Sequence, residues 1–333
     1  MIQSARAPAT RTLYSYKWKV FERWCTERRE DPFHCCISVI LCFLHSLHQK
    51  GLSPSTVKVY LAAISACHYG IGGKPPGCHP LVSRFMQGVH RLHVPVRSLA
   101  PSWDLVTVLN ALTKTPFEPL RDAELRVLSF KTALLVAIVS AKRVGNLAAL
   151  SVHQSCLTFS PGNRSASLRP NPAFQPKVIS AGFSSTVINL SAFCPPPFQS
   201  EEEERLHTLC PIRALSIYVD RTRSLRRSNQ LFVCYGSRTV GEALSKERLS
   251  HWLVEAITLA YSTSGQVPPE GLRAHSIRGV ATSWALLQGV STEDVCAAAS
   301  WATPRTFVRF YNLDMTESSV AHSVLSAARR QTL

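Results

Sequence analysis

The apolar side chains of the first hundred residues fall at helical spacing, and this limits that part of the chain to a packed helical unit. Thr10 to Arg28 carries Leu13, Tyr16, Trp18, Val20, Phe21 and Trp24 on one helical face. Asp31-Pro32 breaks the pattern, and Ile37 to Leu47 starts a second apolar helix. Ser53-Pro54 reads as an N-cap with proline at the first helical position. Val57, Tyr60, Leu61 and Ile64 then continue the period, and Gly70 suits a helix stop. A glycine- and proline-rich loop over 72–77 leads to a fourth helix, Leu81 to Leu92, which carries Arg84 and Arg91. Residues 1–94 are therefore expected to form a small four-helix unit. The two prolines of 95–101 mark a linker, and 102–333 a second domain.

The second domain reads differently. Asp104 to Leu112, Asp122 to Ala141 and Val144 to Leu150 are helical, the middle one apolar enough to be buried. Leu157-Thr158-Phe159, Ala166-Ser167-Leu168 and Val178-Ile179-Ser180 then read as short strands between proline-bounded turns. The acidic run Glu201 to Glu204 is expected to be a solvated loop. Cys210-Pro211 opens a helix to about Arg223, and Gln230 to Cys234 is expected to be a buried strand. Lys246 to Tyr261, His275 to Gln288 and Thr292 to Trp301 are helical. Thr303-Pro304 starts a helix expected to carry Tyr311, and Val320 to Ala328 forms a tail helix. The fold class is mainly α with a small β-sheet.

The net charge is +16, and residues 1–100 hold 13 Lys and Arg against 4 Asp and Glu. Such a balance points to a polyanion, nucleic acid before anionic membrane, although a basic protein without such a partner is the bland alternative. Lys17, Lys19, Arg23, Arg84 and Arg91 are candidates for DNA contact, with ordinary surface charge as the competing reading. No membrane partner is expected: the longest apolar run, Ala133 to Val139, has 7 residues, and a span takes roughly 20. Met1 to Arg11 has no apolar core of signal-peptide type. The 11 cysteines include an adjacent pair, Cys35-Cys36, and none of them has zinc-ligand spacing with histidine. They read as reduced, buried thiols of an intracellular protein, and neither a metal nor another cofactor is expected.

Four short segments carry reactive types. Arg143 closes an apolar helix in Ala141-Lys142-Arg143-Val144-Gly145-Asn146, where a helix-dipole role for Lys-Arg is the simpler reading. His275-Ser276-Ile277-Arg278 places an imidazole and a guanidinium three apart, on one helical face. Trp301 follows in Ala299-Ser300-Trp301, and Tyr311 in Phe307-Val308-Arg309-Phe310-Tyr311. Taken singly, each is as ordinary as a core or surface residue. In order, they hold what metal-free cleavage of a phosphodiester needs: a nucleophile, a proton carrier and cations for the charged oxygens. Arginine suits the last task because its planar fork grips two oxygens and keeps its proton.

Together these segments resemble the tyrosine recombinase family of phage-integrase type, most of all the recombinases of DIRS-like tyrosine-recombinase retrotransposons. The resemblance rests on Leu52 to Tyr60, Lys142 to Gly145, Ala274 to Val280, Ala299 to Trp301 and Thr306 to Asp314, and spans nearly the whole chain. It implies a helical core-binding domain that clamps the duplex, followed by a mixed α/β catalytic domain. Arg143 and Arg278 would hold the scissile phosphate, and His275 would assist proton transfer. Trp301 would support Tyr311 by packing and with an indole N–H donor. Tyr311 would attack phosphorus to give a 3′-phosphotyrosine and a 5′-hydroxyl. The family places its general-acid lysine on a β-hairpin between the first arginine and the HxxR segment. Lys177, the only lysine between Lys142 and Lys246, stands there.

The resemblance also implies double-stranded DNA as partner, a homo-oligomer on that DNA with the tail helix packing in cis or in trans, and, from the element type, a nuclear location. Two positions depart from the family. Asn146 stands where an acidic residue usually orients the first arginine, and the Trp301-to-Tyr311 gap of ten is one longer than usual. The first of these favours an alternative, a DNA-binding protein without activity. A type IB topoisomerase-like enzyme is a third reading, and the separate helical first domain argues against it.

Overall fold

The computed structural model of the chain describes residues 6–93, 100–174, 187–236 and 238–315. The backbone divides into two units, Met1–Arg97 and Ser98–Leu333. Most of the expected linker 95–101, the expected strand Val178 to Ser180, Lys177 and the tail Val320 to Ala328 lie outside the described residues.

The first unit holds α1 (Pro8–Thr26), α2 (Ile37–Gln49), α3 (Pro54–Cys67) and α4 (Pro80–Leu92). The Ser53 side chain caps α3 by accepting from the Thr56 backbone N–H at 3.3 Å. Phe21, Cys25, Ile40, Phe43, Leu44, Val57 and Ile64 make the core, with Phe21 and Phe43 meeting edge to face at 5.0 Å. Lys19, Arg23, Arg84 and Arg91 are exposed. Lys17 is half-buried, and its ammonium sits 4.2 Å from the centre of the Tyr60 ring.

The second unit is built around α6 (Leu125–Ser140), in which every residue from Val127 to Ala137 is buried. A helix apolar all round has to be surrounded, and α6 packs on α9 (Pro211–Thr222), α10 (Lys246–Thr263) and α11 (Ser276–Leu287). Before it comes α5 (Leu105–Leu112), and after it α7 (Val144–Ala148). Three strands, β1 (Leu157–Phe159), β2 (Ser165–Leu168) and β3 (Ile188–Ser191), form an antiparallel sheet in the order β1-β2-β3. Its register pairs Leu157 with Leu168 and Ala166 with Leu190, and the period of two turns these residues together with Ile188 inward. The unit continues with α8 (Glu201–His207), and beyond α11 it ends in α12 (Thr292–Ala299) and α13 (Pro304–Phe310).

Four expectations need correction. The thiols are not all buried, since Cys36, Cys42, Cys67 and Cys78 are exposed. The acidic run 201–204 is the first turn of α8, not a loop. Ser200 caps it by accepting from the Glu203 N–H at 3.2 Å, and carboxylates at a helix start favour its dipole. Within Gln230 to Cys234 only Leu231, Phe232 and Val233 are buried, and the segment pairs through single bridges, Ser151 with Gln230 and Val233 with Ala243, so no continuous strand forms. Tyr311 is not on a helix: α13 stops at Phe310, and Tyr311 follows at φ −128°, its N–H bonded back to the Phe307 carbonyl at 2.8 Å.

Candidate active site

The site lies within the second unit, where α11 meets the ends of α6, α12 and α13. Ser276 begins α11, so His275 stands at its threshold and Arg278 in its first turn. Arg278 is almost fully buried, at 3% exposure. Its Nη2 donates to the Ala299 carbonyl, which fixes one edge of the guanidinium. The plane lies over aromatic rings, 4.4 Å from the centre of Trp301 and 5.1 Å from that of Tyr311. Nε and Nη1 are buried and have no hydrogen-bond partner among the described residues. Donors left so are costly, and a cation more than most, so the arrangement calls for an acceptor, best an anionic one. Burial first, and then the charge of Arg143, push the Arg278 pKa down to about 10, although Tyr311 acts in the other direction.

Tyr311 is held between several side chains. Its ring lies 4.6 Å from that of Trp301 and 5.1 Å from that of His275. Its backbone is fixed as well: Ser283 Oγ donates to the Tyr311 carbonyl at 3.1 Å and accepts from the Leu313 N–H at 2.8 Å. The Tyr311 backbone passes close to α11 here: a Cβ at Gly279, one turn before Ser283, would be in van der Waals contact with the Tyr311 carbonyl oxygen at 3.4 Å. The bends after α12 and α13 thus present one aromatic pair, and α11 carries the guanidinium beneath it.

Arg143 joins from the other side. It is the N-cap residue of α7, half-buried, and its carbonyl accepts from the N–H of Asn146 at 2.8 Å. Its charge reaches both Arg278 and His275. His275 is exposed as a residue, yet its pKa lies below the usual histidine range. Desolvation of the ring is the first cause, and the charges of Arg278 and Arg143 follow. Lys142, one residue earlier, is buried, and its Nζ donates to Ser300 Oγ at 2.6 Å.

Of the six candidates for chemistry, the structure brings His275, Arg278, Trp301 and Tyr311 into direct contact, with Arg143 in electrostatic reach. Lys177 lies outside the described residues. The packing expected of Trp301 is present. The indole donor expected of it reaches no protein acceptor, because Nε1 is buried without a partner among the described residues. Three contributors escaped the sequence: Gly279, Ser283 and Ser300. The first two stand at i and i+4 of the α11 helix just after Arg278. Small residues one turn apart are the signal that a second backbone packs there.

Neither protein-family models nor curated proteins give a match to this chain. Solved structures do. The integrase of the Tn1549 transposon, in complex with transposon right-end DNA, matches with a TM-score of 0.54 at 13% identity, over 88% of this chain and 84% of that one. A lambda integrase dimer bound to a core site gives 0.52 at 13% identity, over 96% and 94%. A lambda integrase tetramer bound to a Holliday junction gives 0.51 at 11% identity, over 96% and 77%. At these identities the likeness is one of fold. The chain is mainly helical with a small three-stranded antiparallel sheet, and that architecture is the tyrosine recombinase fold.

Proposed function

We propose that this chain breaks and rejoins DNA, with Tyr311 as nucleophile and a covalent 3′-phosphotyrosine as intermediate. One observation carries the reading: Tyr311 stacks in a single cluster with a buried arginine whose Nε and Nη1 have no hydrogen-bond partner among the described residues. A phosphodiester supplies what that cluster lacks. Its non-bridging oxygens would accept from Arg278 and Arg143 by charge-assisted bonds, which strengthen as charge builds in the transition state. The Trp301 indole N–H is a further buried donor facing the same need.

The chemistry balances without an external energy source. The Tyr311 oxygen forms a bond to phosphorus, and the bond from phosphorus to the 5′-oxygen breaks. The phenolic proton leaves Tyr311, and the departing 5′-oxygen takes up one. Among the described residues, His275 is the group placed to move a proton beside Tyr311, 5.1 Å away between ring centres. Lys177 is proposed as the donor to the leaving oxygen, on its sequence position alone. Attack by a 5′-hydroxyl, from the same or another strand, reverses the step, so the bond energy is kept in the link.

The finer reading follows the sequence resemblance. The chain would serve integration of a mobile element of DIRS-like retrotransposon type, act in the nucleus and assemble as a homo-oligomer on double-stranded DNA. Residues 1–94 would clamp the duplex through Lys17, Lys19, Arg23, Arg84 and Arg91, and residues 102–333 would carry the reaction. A second reading, a DNA-binding protein with weakened or lost chemistry, draws on Asn146, whose amide brings no charge to Arg143.

A duplex nicked shortly 3′ of the scissile phosphate, so that the short fragment bearing the 5′-hydroxyl diffuses away, separates the two. Wild type is expected to form a denaturant-stable protein–DNA adduct, and Tyr311→Phe to form none while still binding. Binding without an adduct from wild type selects the second reading.

A further inference from the structure

Lys142 stands directly before Arg143 and has no part in the scheme above. Its side chain is buried, at 8% exposure, and its Nζ donates to Ser300 Oγ at 2.6 Å. One end of this bond is a helix stop, and the other directly follows one. The α6 helix ends through Ala141 at φ +49°, and α12 ends through Ser300 at φ +52°. Neither is glycine, and left-handed backbone disfavours residues with a Cβ. Each stop is closed by backbone bonds to its own helix, Ala141 N–H to the Ala137 carbonyl and Ser300 N–H to the Ala297 carbonyl, both at 3.1 Å, so the Lys142–Ser300 bond adds a link between two helix ends that are already formed.

Ser300 is also the middle of three consecutive residues whose outer members hold Arg278. The Ala299 carbonyl accepts from its Nη2, and the Trp301 ring lies under its guanidinium. The bond from Lys142 thus runs between the residue next to Arg143 and the cradle of Arg278.

We propose that Lys142 is a positioning residue: through Ser300 it sets the separation between Arg143 and the Arg278–Trp301–Tyr311 stack, so that both guanidiniums meet one phosphate. The inference rests on the recombinase reading of the site. A purely stabilising role fits the same bond poorly. Burial first, and the charge of Arg278 second, push the Lys142 pKa down to about 8, which marks the ammonium as costly where it stands. An apolar side chain of similar length would remove that cost.

The test compares Lys142→Met, Ser300→Ala and the double variant by single-turnover cleavage of a nicked duplex at saturating DNA, beside DNA affinity and melting temperature. Lys142→Met is expected to cleave ~10²-fold more slowly, the usual effect of an ångström-scale misplacement. Its DNA affinity should hold, and its melting temperature should equal or exceed that of wild type. Ser300→Ala is expected to slow cleavage, and the double variant to cleave no more slowly than Lys142→Met, since both act through one bond.

The proposal is overturned if the double variant loses the product of the two single effects, or if the slowing is accounted for by weaker DNA binding. If Lys142→Met does not fold, Ser300→Ala decides alone: cleavage at the wild-type rate overturns the proposal. A wild-type chain without adduct overturns the recombinase reading and this inference with it. An active wild type with an indifferent Ser300→Ala overturns this inference only.

Discussion

The second unit buries two groups of cations, and they are treated in opposite ways. In the core, Lys131 is fully buried, and its Nζ is taken up by the Leu112 carbonyl at 2.7 Å and by the carboxylate of Glu118. Arg213 grips both oxygens of the same Glu118, at 2.7 and 2.9 Å. Burial raises the pKa of Glu118, but the bonds from Arg213 and Lys131 outweigh it and hold the carboxyl below its usual range. In the candidate site Arg278 and Lys142 are buried close together, and the charges acting on them are further cations and a phenol, with no carboxylate from the described residues. A buried cation with its counter-charge built in is part of the framework. A group of buried cations without one is a binding site for an anion that arrives later.

The comparison makes the two groups respond differently to substitution. Glu118→Gln leaves Lys131 buried and unpaired, so unfolding by urea should show a loss of about 3–5 kcal/mol; a loss below ~1 kcal/mol would mean that the core group is not a closed unit. Arg278→Met removes a cation on which the described residues bring a phenol and a further cation to bear, but no carboxylate. Cleavage should fall by ~10²–10³-fold or more, as when one transition-state donor is deleted. The melting temperature should drop by no more than a few degrees. A large drop would make Arg278 a structural residue and erase the contrast.

A bound duplex should also be felt by His275. Its pKa is depressed in the free chain by desolvation and by the two guanidiniums, and a phosphate beside them favours the imidazolium. Proton NMR of the imidazole should therefore show the pKa rising when DNA binds. An unchanged or lower value would place the phosphate elsewhere. The smallest effect is expected of Asn146→Asp, which supplies the acid that Arg143 lacks at the next turn of α7. A few-fold faster cleavage sharpens the comparison, and a slower one shows that the site works best without local neutralisation.

How much of this was legible in the sequence follows from how local each signal is. The four helices of the first unit, and β1 and β2, fall where periodicity and turn chemistry put them. These depend on residues within one or two turns of each other. Arg143, His275, Arg278, Trp301 and Tyr311 were found by type and order, through resemblance, and not by any local rule. The Lys142–Ser300 bond spans 158 positions, and Ser283 meets the Tyr311 backbone 28 positions away. No periodicity contains such pairs. Glu201 to Glu204 differs for another reason: four consecutive carboxylates signal solvation, which holds equally for a loop and for a capped first turn, and the Ser200 cap decides between them. Tyr311 was placed one residue too far along its helix because the stop at Phe310 has no glycine or proline to announce it.

One measurement bears most directly on the claim that these cations surround a scissile phosphate. Wild-type protein is trapped on a nicked duplex and digested, and the peptide that retains nucleotide is sequenced by mass spectrometry. The account predicts a single modified residue, Tyr311, joined to the 3′-phosphate of the cut strand. Nucleotide on any other residue, or a duplex that stays bound and uncut, would contradict it.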